Sequence, residues 1–219
     1  MYIVLFFIEF ALIFFLSRQL SKTLSHFLLR IFKNHRITIH ILSFLFLPGV
    51  IVHELSHWLM AEITFVKTGQ IEFTPQIHGD KVKLGSVAIA KTDPIRRFFI
   101  GVAPILFGLP IIFGLYVFLF PQGSLTFSWQ LLLFFCLLFE IGNTMYSSSK
   151  DMEGAIGFFI FTAILIILYF TFHLHLPPAV IQAITAARVQ NIFGKMDILL
   201  GILGGIDIVI IGGLRMLVK

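Results

Sequence analysis

Long apolar runs alternate with short polar segments along most of the chain. A helix needs about 20 mostly apolar residues to cross the hydrocarbon core of a bilayer. Runs of this kind predict six membrane-spanning helices, at residues 2–20, 37–66, 98–120, 128–146, 152–176 and 197–217. The fifth run ends at Pro177-Pro178, which stops a helix. The pattern therefore predicts an all-α, multi-pass membrane protein.

Two connecting segments differ from these runs. Residues 17–36 carry five basic side chains, which predicts an amphipathic helix on a membrane surface. Residues 67–97 are rich in β-branched residues and turn at His78-Gly79-Asp80, which predicts a β-hairpin after the second helix. Both segments are basic, and they lie on opposite faces if the second helix crosses the membrane fully. Charge alone therefore gives no orientation.

Composition agrees with a membrane location. Of the 219 residues, 58% are apolar and 12% are charged, whereas soluble domains carry about a quarter charged residues. No polar stretch is long enough for a separate soluble domain, so residues 1–219 form one domain. Basic loops facing anionic headgroups explain the net charge of +5 more simply than a nucleic-acid partner, and we expect none. The N-terminal run has no basic region before it and no cleavage motif, so we expect a retained span.

Ionisable side chains interrupt the second run, in the stretch PGVIVHELSHWLM, where lipid makes them costly. His53 and His57 are four residues apart and share one helix face. Two such imidazoles can bind one Zn²⁺, with Glu54 beside it to take a proton from water. The alternative is a set of hydrogen-bonded polar residues. Pro48-Gly49 lies one turn earlier. It either breaks this helix and opens space at the site, or it has no special role, since proline and glycine are common in membrane helices.

A catalytic zinc ion needs three protein ligands and an open position, so a third ligand is required. A single Cys136 excludes a cysteine-based zinc site. Glu62, five residues after His57, projects to another part of the helix. More distant candidates are Glu140, Asp151, Glu153, Asp207, His173 and His175. The residues alone leave Asp151 and Glu140 level, although the polar segment before Asp151 is typical of a protein-lined cavity.

The chain resembles the site-2 protease family of intramembrane zinc metalloproteases. The resemblance rests on HELSH in an early span, a hairpin after it, and Asn143 eight residues before Asp151. That family's second motif usually reads N-x-x-P-x-x-P-L-D-G. Here the spacing is kept, but four positions differ from the motif: Tyr146, Ser149, Lys150 and Met152.

This resemblance implies a ligand set and roles for individual residues. His53, His57 and Asp151 would bind one zinc ion per chain, and Glu54 would be the general base. Asn143 would contact the substrate backbone or the oxyanion side of the reacting carbonyl.

It also implies the organisation of the chain. The core would be residues 37–160 with the hairpin at 67–97, and residues 1–36 and 161–219 would form peripheral helices. No PDZ-like module is present in the sequence, so the chain would be a minimal member.

The implied function is zinc-dependent hydrolysis of peptide bonds in or near transmembrane segments of a membrane-anchored protein substrate. The membrane would be the plasma membrane of a bacterium or archaeon. We expect the hairpin, with Val87 and Ile89, to bind an unwound substrate segment as an added strand.

Two alternatives stay open. One is a non-proteolytic, metal-binding scaffold or chaperone. The other is a metal or proton transporter that uses Glu9, Glu140 and Asp207, although these acids show no repeat symmetry. The glycines around Asp207 predict close helix packing, and its mid-span position predicts a polar partner.

Overall fold

The computed structural model describes residues 2–78, 81–121, 127–145, 149–172, 177–178, 182 and 185–218. Within these ranges, it describes only the backbone of residues 76–78, 81–83, 149–155, 158–159, 170 and 218. The described chain is mostly helical, with α1 Tyr2–Phe32, α2 His35–Leu45, α3 Leu47–Ile63, α4 Pro94–Leu119, α5 Trp129–Thr144, α6 Ser149–Thr171 and α7 Ala187–Val218. Four short strands separate α3 from α4: β1 Thr68–Glu72, β2 Gln76–His78, β3 Lys81–Lys83 and β4 Ser86–Ile89.

Within the described residues, three helices, α1, α4 and α7, are long and apolar enough to cross a membrane. All three extend beyond the predicted spans, and α4 begins four residues before its predicted start. The basic segment 17–36 was expected to be a surface helix, but most of it belongs to α1, which continues to Phe32. Likewise α7 begins at Ala187, ten residues before the predicted start. At the start of α4, Asp93 caps the helix by accepting from the amides of Ile95 and Arg96.

The predicted span at 37–66 is not one continuous helix. It consists of α2 and α3, which meet at a bend of 75°. Phe46 lies at the junction with φ −104° and ψ 12°, outside helical geometry. Pro48 follows in the first turn of α3, where its missing N–H costs nothing. The sequence allowed a helix break at Pro48-Gly49 as one of two alternatives, and the bend between α2 and α3 confirms that break.

The first and last helices run side by side in the same direction. The ring of Tyr2 lies against Gly194 and the carboxylate of Glu9 against Gly201. One turn later Ile13 lies against Gly204. Residue numbers increase together along both helices, so α1 and α7 are parallel and their C-terminal ends are at the same end of the bundle.

Helix α5 has the same direction as α7, and α4 has the opposite one. Near the start of α5, Phe134 contacts Tyr116 with ring centroids 6.1 Å apart. Lys195, near the start of α7, lies over the same Tyr116 ring. At its other end α5 contacts the middle of α4, where Met145 lies against Gly108. The N-terminus of α4 therefore lies at the same end of the bundle as the C-termini of α1 and α7.

We call this end, with the basic residues of 18–36 and 67–97 and Arg215, the basic end. The chain leaves α1 and enters α4 at the basic end, so the segment between them starts and finishes there. Within that segment, α3 runs back toward the basic end, because His57 in its second half lies 2.7 Å from the carbonyl oxygen of Ile100 near the start of α4. The two basic connections, 17–36 and 67–97, therefore lie at the same end of the bundle. A second helix that crossed the membrane fully would have placed them on opposite faces.

The predicted hairpin is confirmed. β1 pairs with β4 in antiparallel register, with Ile71 opposite Val87, and β2 pairs with β3. The four strands thus form two two-stranded sheets, β1–β4 and β2–β3, which we together call the ribbon. The predicted turn residues Gly79 and Asp80 lie outside the described residues, but His78 pairs with Lys81 across them.

Candidate metal centre

Helix α3 carries the three residues of the HExxH motif on a buried surface. His53, Glu54 and His57 are 3%, 6% and 7% exposed. The Nε2 atoms of the two histidines are 3.1 Å apart, and their rings meet edge to face. Because one helical turn separates them, the same α-helical repeat that the motif predicts brings both nitrogens to one point.

A backbone carbonyl fixes the orientation of one ring. The Nδ1 atom of His57 lies 2.7 Å from the carbonyl oxygen of Ile100, in the second turn of α4. A carbonyl only accepts, so Nδ1 donates, and in the neutral ring this leaves the lone pair on Nε2. This is the usual outer contact of a metal-binding histidine. It directs that lone pair at the Nε2 atom of His53.

The hairpin covers the glutamate of the motif. A side-chain carbon on Gly85 would lie 2.7 Å from Val50 Cγ1, 2.9 Å from Glu54 Cγ and 3.1 Å from Glu54 Oε1. Only glycine lets the chain between β3 and β4 approach α3 so closely. The next residue back, Leu84, packs on the cluster formed by Leu42, Phe46 and Val50. The site therefore lies between α3 and the ribbon.

Gly49 lies at a close contact between two helices. An added carbon there would meet the carbonyl of Glu140 and the hydroxyl of Thr144, both on α5. The second half of the Pro48-Gly49 prediction, space at the site, stays a prediction. Glycine brings α3 against α5 one turn before the histidines.

The third ligand is not resolved by the described side chains. Among them, which include Glu140 and Asp207 but not Asp151 or Glu153, no further His, Cys, Asp or Glu joins the two histidines. The backbone of Asp151 lies in the first turn of α6, and its side chain lies outside the described part. His173 and His175 also lie outside it. Asp151 stays a prediction.

Asn143 lies in a buried polar contact between helices. Its Nδ2 donates to Asp207 Oδ1 at 2.9 Å and to the carbonyl of Phe139 at 3.0 Å. Its own carbonyl accepts from the hydroxyl of Ser17 at 2.6 Å. The polar partner predicted for Asp207 is thus Asn143. A substrate contact by Asn143 stays a prediction, and in this structure its amide group bonds to α7 and not to the histidines.

The other predicted residues lie around the motif. Val87 and Ile89 are in β4, and Ile89 packs on the cluster that includes Met60 and Ile100. Glu62 accepts from the hydroxyl of Thr68 at 2.7 Å, away from the site as predicted. Sequence reasoning missed Gly85 and Ile100. A glycine between two strands was a visible signal, whereas a backbone carbonyl has no sequence signal.

Comparison of the chain with protein-family models, with curated proteins and with solved structures finds no match. Functional inference therefore depends on the geometry of this site and on the motifs of the chain.

Proposed function

We propose that this chain is a multi-pass membrane zinc metalloprotease of the site-2 protease type. It would hydrolyse peptide bonds in or near the transmembrane segments of a membrane-anchored protein. His53, His57 and Asp151 hold one zinc ion in this proposal, and Glu54 is the general base.

The observation that carries the proposal is the buried approach of two imidazole nitrogens. Two nitrogens bound to one tetrahedral zinc ion at 2.0–2.1 Å are roughly 3.3 Å apart. The Nε2 atoms of His53 and His57 are 3.1 Å apart without any rearrangement. The donor set also fits, because neutral imidazole is a common zinc ligand and the carbonyl of Ile100 selects the required tautomer of His57.

When bound, zinc supplies a Lewis acid that lowers the pKa of a water molecule and polarises the scissile carbonyl. Glu54, on the same helix surface and buried beside the histidines, takes the proton from the attacking water. It then passes that proton to the leaving amine nitrogen, so the base is regenerated as the peptide bond breaks. The chain at Gly85 lies directly over the Glu54 side chain, which limits the space open to the carboxylate.

The ribbon is suited to bind an unwound substrate segment. Within the described strands, β4 pairs with β1 alone, which leaves its second edge without a strand partner. An extended peptide added at such an edge forms backbone hydrogen bonds and presents alternate side chains to pockets. Val87→Pro removes one backbone donor of β4. If cleavage is unchanged in that variant, strand addition at β4 is wrong.

The arrangement of charge supports one orientation in the membrane. We propose that α1, α4 and α7 cross the bilayer, that α5 and α6 complete the bundle, and that α2–α3 is a re-entrant pair. The six-span expectation is thereby revised. Lys and Arg cluster on the cytoplasmic side of membrane proteins, so the basic end faces the cytoplasm. Ile100 is six residues into α4, which places the site about 9 Å below the start of that helix.

Replacement of Glu54 tests the enzyme against the scaffold alternative. Glu54→Gln should keep one zinc ion per chain and lower cleavage of a model transmembrane peptide in proteoliposomes on the order of 100-fold or more. Glu62→Gln is the matched control, since Glu62 is on the same helix but faces Thr68, and should cleave normally. Full cleavage by Glu54→Gln, or wild-type protein without zinc, would overturn the proposal.

Zinc stoichiometry identifies the third ligand. Removing a ligand lowers metal affinity far more than removing a neighbouring residue. We expect Asp151→Ala to lose zinc under dialysis that leaves Glu140→Ala and wild type loaded. The reverse result would transfer the ligand role to Glu140 and leave the histidine site intact.

A further inference from the structure

A cavity of about 670 Å³ lies between α1 and α7 at the basic end. It is separate from the metal centre, which lies between α3, α4 and the ribbon. Most of the residues that line it are polar or basic, although the aliphatic parts of their side chains and one phenylalanine supply much of the surface. They include Phe15, Arg18, Gln19, Lys22, Thr23 and Arg215.

The cavity concentrates positive charge. Arg18, Lys22 and Arg215 all line it, and none of the described residues in its lining is Asp or Glu. In the described part of the chain, no carboxylate forms an ion pair with any of these three cations. Like charges held around one space repel each other, so an anion in the cavity would lower the electrostatic free energy.

The parallel packing of α1 and α7 brings these cations together. Tyr2 is matched with Gly194 and Glu9 with Gly201, and the same spacing matches Thr23 with Arg215. An antiparallel pair would put Arg215 near the start of α1 instead. The cationic cavity therefore depends on the direction of the two helices and not only on their composition.

The cavity also lies where the first arginine interrupts the apolar run of each helix. In α1 this is Arg18, two residues after Leu16, and in α7 it is Arg215, directly after Leu214. Phe15, on the apolar side of the cavity, is 65% exposed. A ligand with a phosphate at the level of the cations and hydrocarbon alongside Phe15 would contact both kinds of surface. Arginine forks bind phosphate oxygens in pairs, which suits two of the three cations.

We propose that this cavity binds the phosphate group of an anionic phospholipid. The phosphate accepts from Arg18, Lys22 and Arg215, and an acyl chain lies along Phe15. Basic pockets between membrane helices at the cytoplasmic side are suited to such headgroups. This inference rests on the proposed membrane location and not on zinc binding or proteolysis. The lipid site can therefore be wrong while the metalloprotease proposal is right, and the reverse also holds.

Lipid retention by purified protein tests the site. Protein is reconstituted in nanodiscs of phosphatidylcholine with a small fraction of phosphatidylglycerol, and retained lipid is counted by native mass spectrometry after detergent exchange. Wild type should retain one phosphatidylglycerol in preference to phosphatidylcholine. Arg18→Gln and Arg215→Gln should each lower this preference roughly fivefold, and the double variant about 30-fold.

Arg188→Gln is the matched control, because Arg188 is an exposed arginine in the first turn of α7 at the opposite end of the bundle. It should retain the lipid as wild type does. Equal losses in Arg188→Gln and Arg215→Gln would overturn the site, since net charge would then explain binding. If Arg18→Gln unfolds, Lys22→Gln takes its place, and unchanged retention in folded Lys22→Gln and Arg215→Gln likewise overturns it.

A second arm distinguishes the source of the phosphate. Inorganic phosphate at millimolar concentration is added to the wild type and the Arg215→Gln protein. We expect no displacement of phosphatidylglycerol. Residue-dependent binding of inorganic phosphate, without preferential retention of the lipid, would overturn the lipid as ligand.

Discussion

The contact between α3 and α5 at Gly49 can be tested by adding a single methyl group. In Gly49→Ala the new carbon would meet the carbonyl oxygen of Glu140 and lie 2.5 Å from the hydroxyl oxygen of Thr144. Carbon atoms normally pack at roughly 3.5–4.0 Å, so the overlap is about 1 Å. The hydroxyl can rotate but the helical carbonyl cannot, so α3 must shift. Overpacking of this kind costs about 1–3 kcal/mol.

Thermal unfolding in detergent micelles measures this cost. Trp58 and Trp129 lie on α3 and at the start of α5, so intrinsic fluorescence follows both helices. For a chain of this size the destabilisation lowers the unfolding temperature by about 2–12 °C. Gly114→Ala is the control, because no atom lies within 4 Å of the added carbon, and it should unfold at or above the wild-type temperature. Equal unfolding temperatures for the two variants would refute the described contact.

Three further predictions concern the hairpin, the helix contact and the cap of α4. Gly85→Ala crowds the proposed general base, and a displacement of about 1 Å should lower peptide cleavage on the order of 100-fold with zinc retained; normal cleavage would contradict this. Asp207→Leu leaves the buried side-chain amide of Asn143 without one of its acceptors and should lower the free energy of unfolding by about 1–3 kcal/mol. Asp207→Asn keeps an acceptor and should lower it less. Equal losses of stability in the two variants would exclude a hydrogen-bonding role for Asp207. The amide of Arg96, donating to the carboxylate, holds the pKa of Asp93 below its usual range. The stabilisation of the fold by the Asp93 carboxylate is therefore complete above the unfolded-state pKa and is lost as the pH falls through the lower folded-state pKa. Asp93→Ala should differ from wild type in unfolding temperature at neutral pH but not in strong acid. A difference that does not change with pH would contradict the capping role of Asp93.

Local features of the fold could be predicted from the sequence. The approach of His53 and His57 follows from the helical repeat alone, because both residues are on one short element. The hairpin follows from β-branched residues on either side of a turn. In each case the signal and the contact lie within a few residues of each other.

Features set by distant contacts could not be predicted in this way. Hydropathy reports that residues 37–66 are apolar but not that α2 and α3 bend by 75° and return to the same end. The closeness of Gly85 to Glu54 depends on how the ribbon folds back, which composition does not encode. The ligand role of Asp151 stays a prediction, because its motif diverges and its side chain lies outside the described residues.

The parallel contact of α1 with α7 has a consequence for biogenesis. The two helices are about 190 residues apart in sequence, and at 5–20 residues per second their synthesis is separated by about 10–40 seconds. If α1 and α7 cross a membrane as proposed, lipid or the insertion machinery covers the surface of α1 that later contacts Gly194, Gly201 and Gly204 during that interval. In that case α1 stays in the membrane without its partner helix until α7 has been made, and its release into the bilayer before then would leave Glu9 facing lipid.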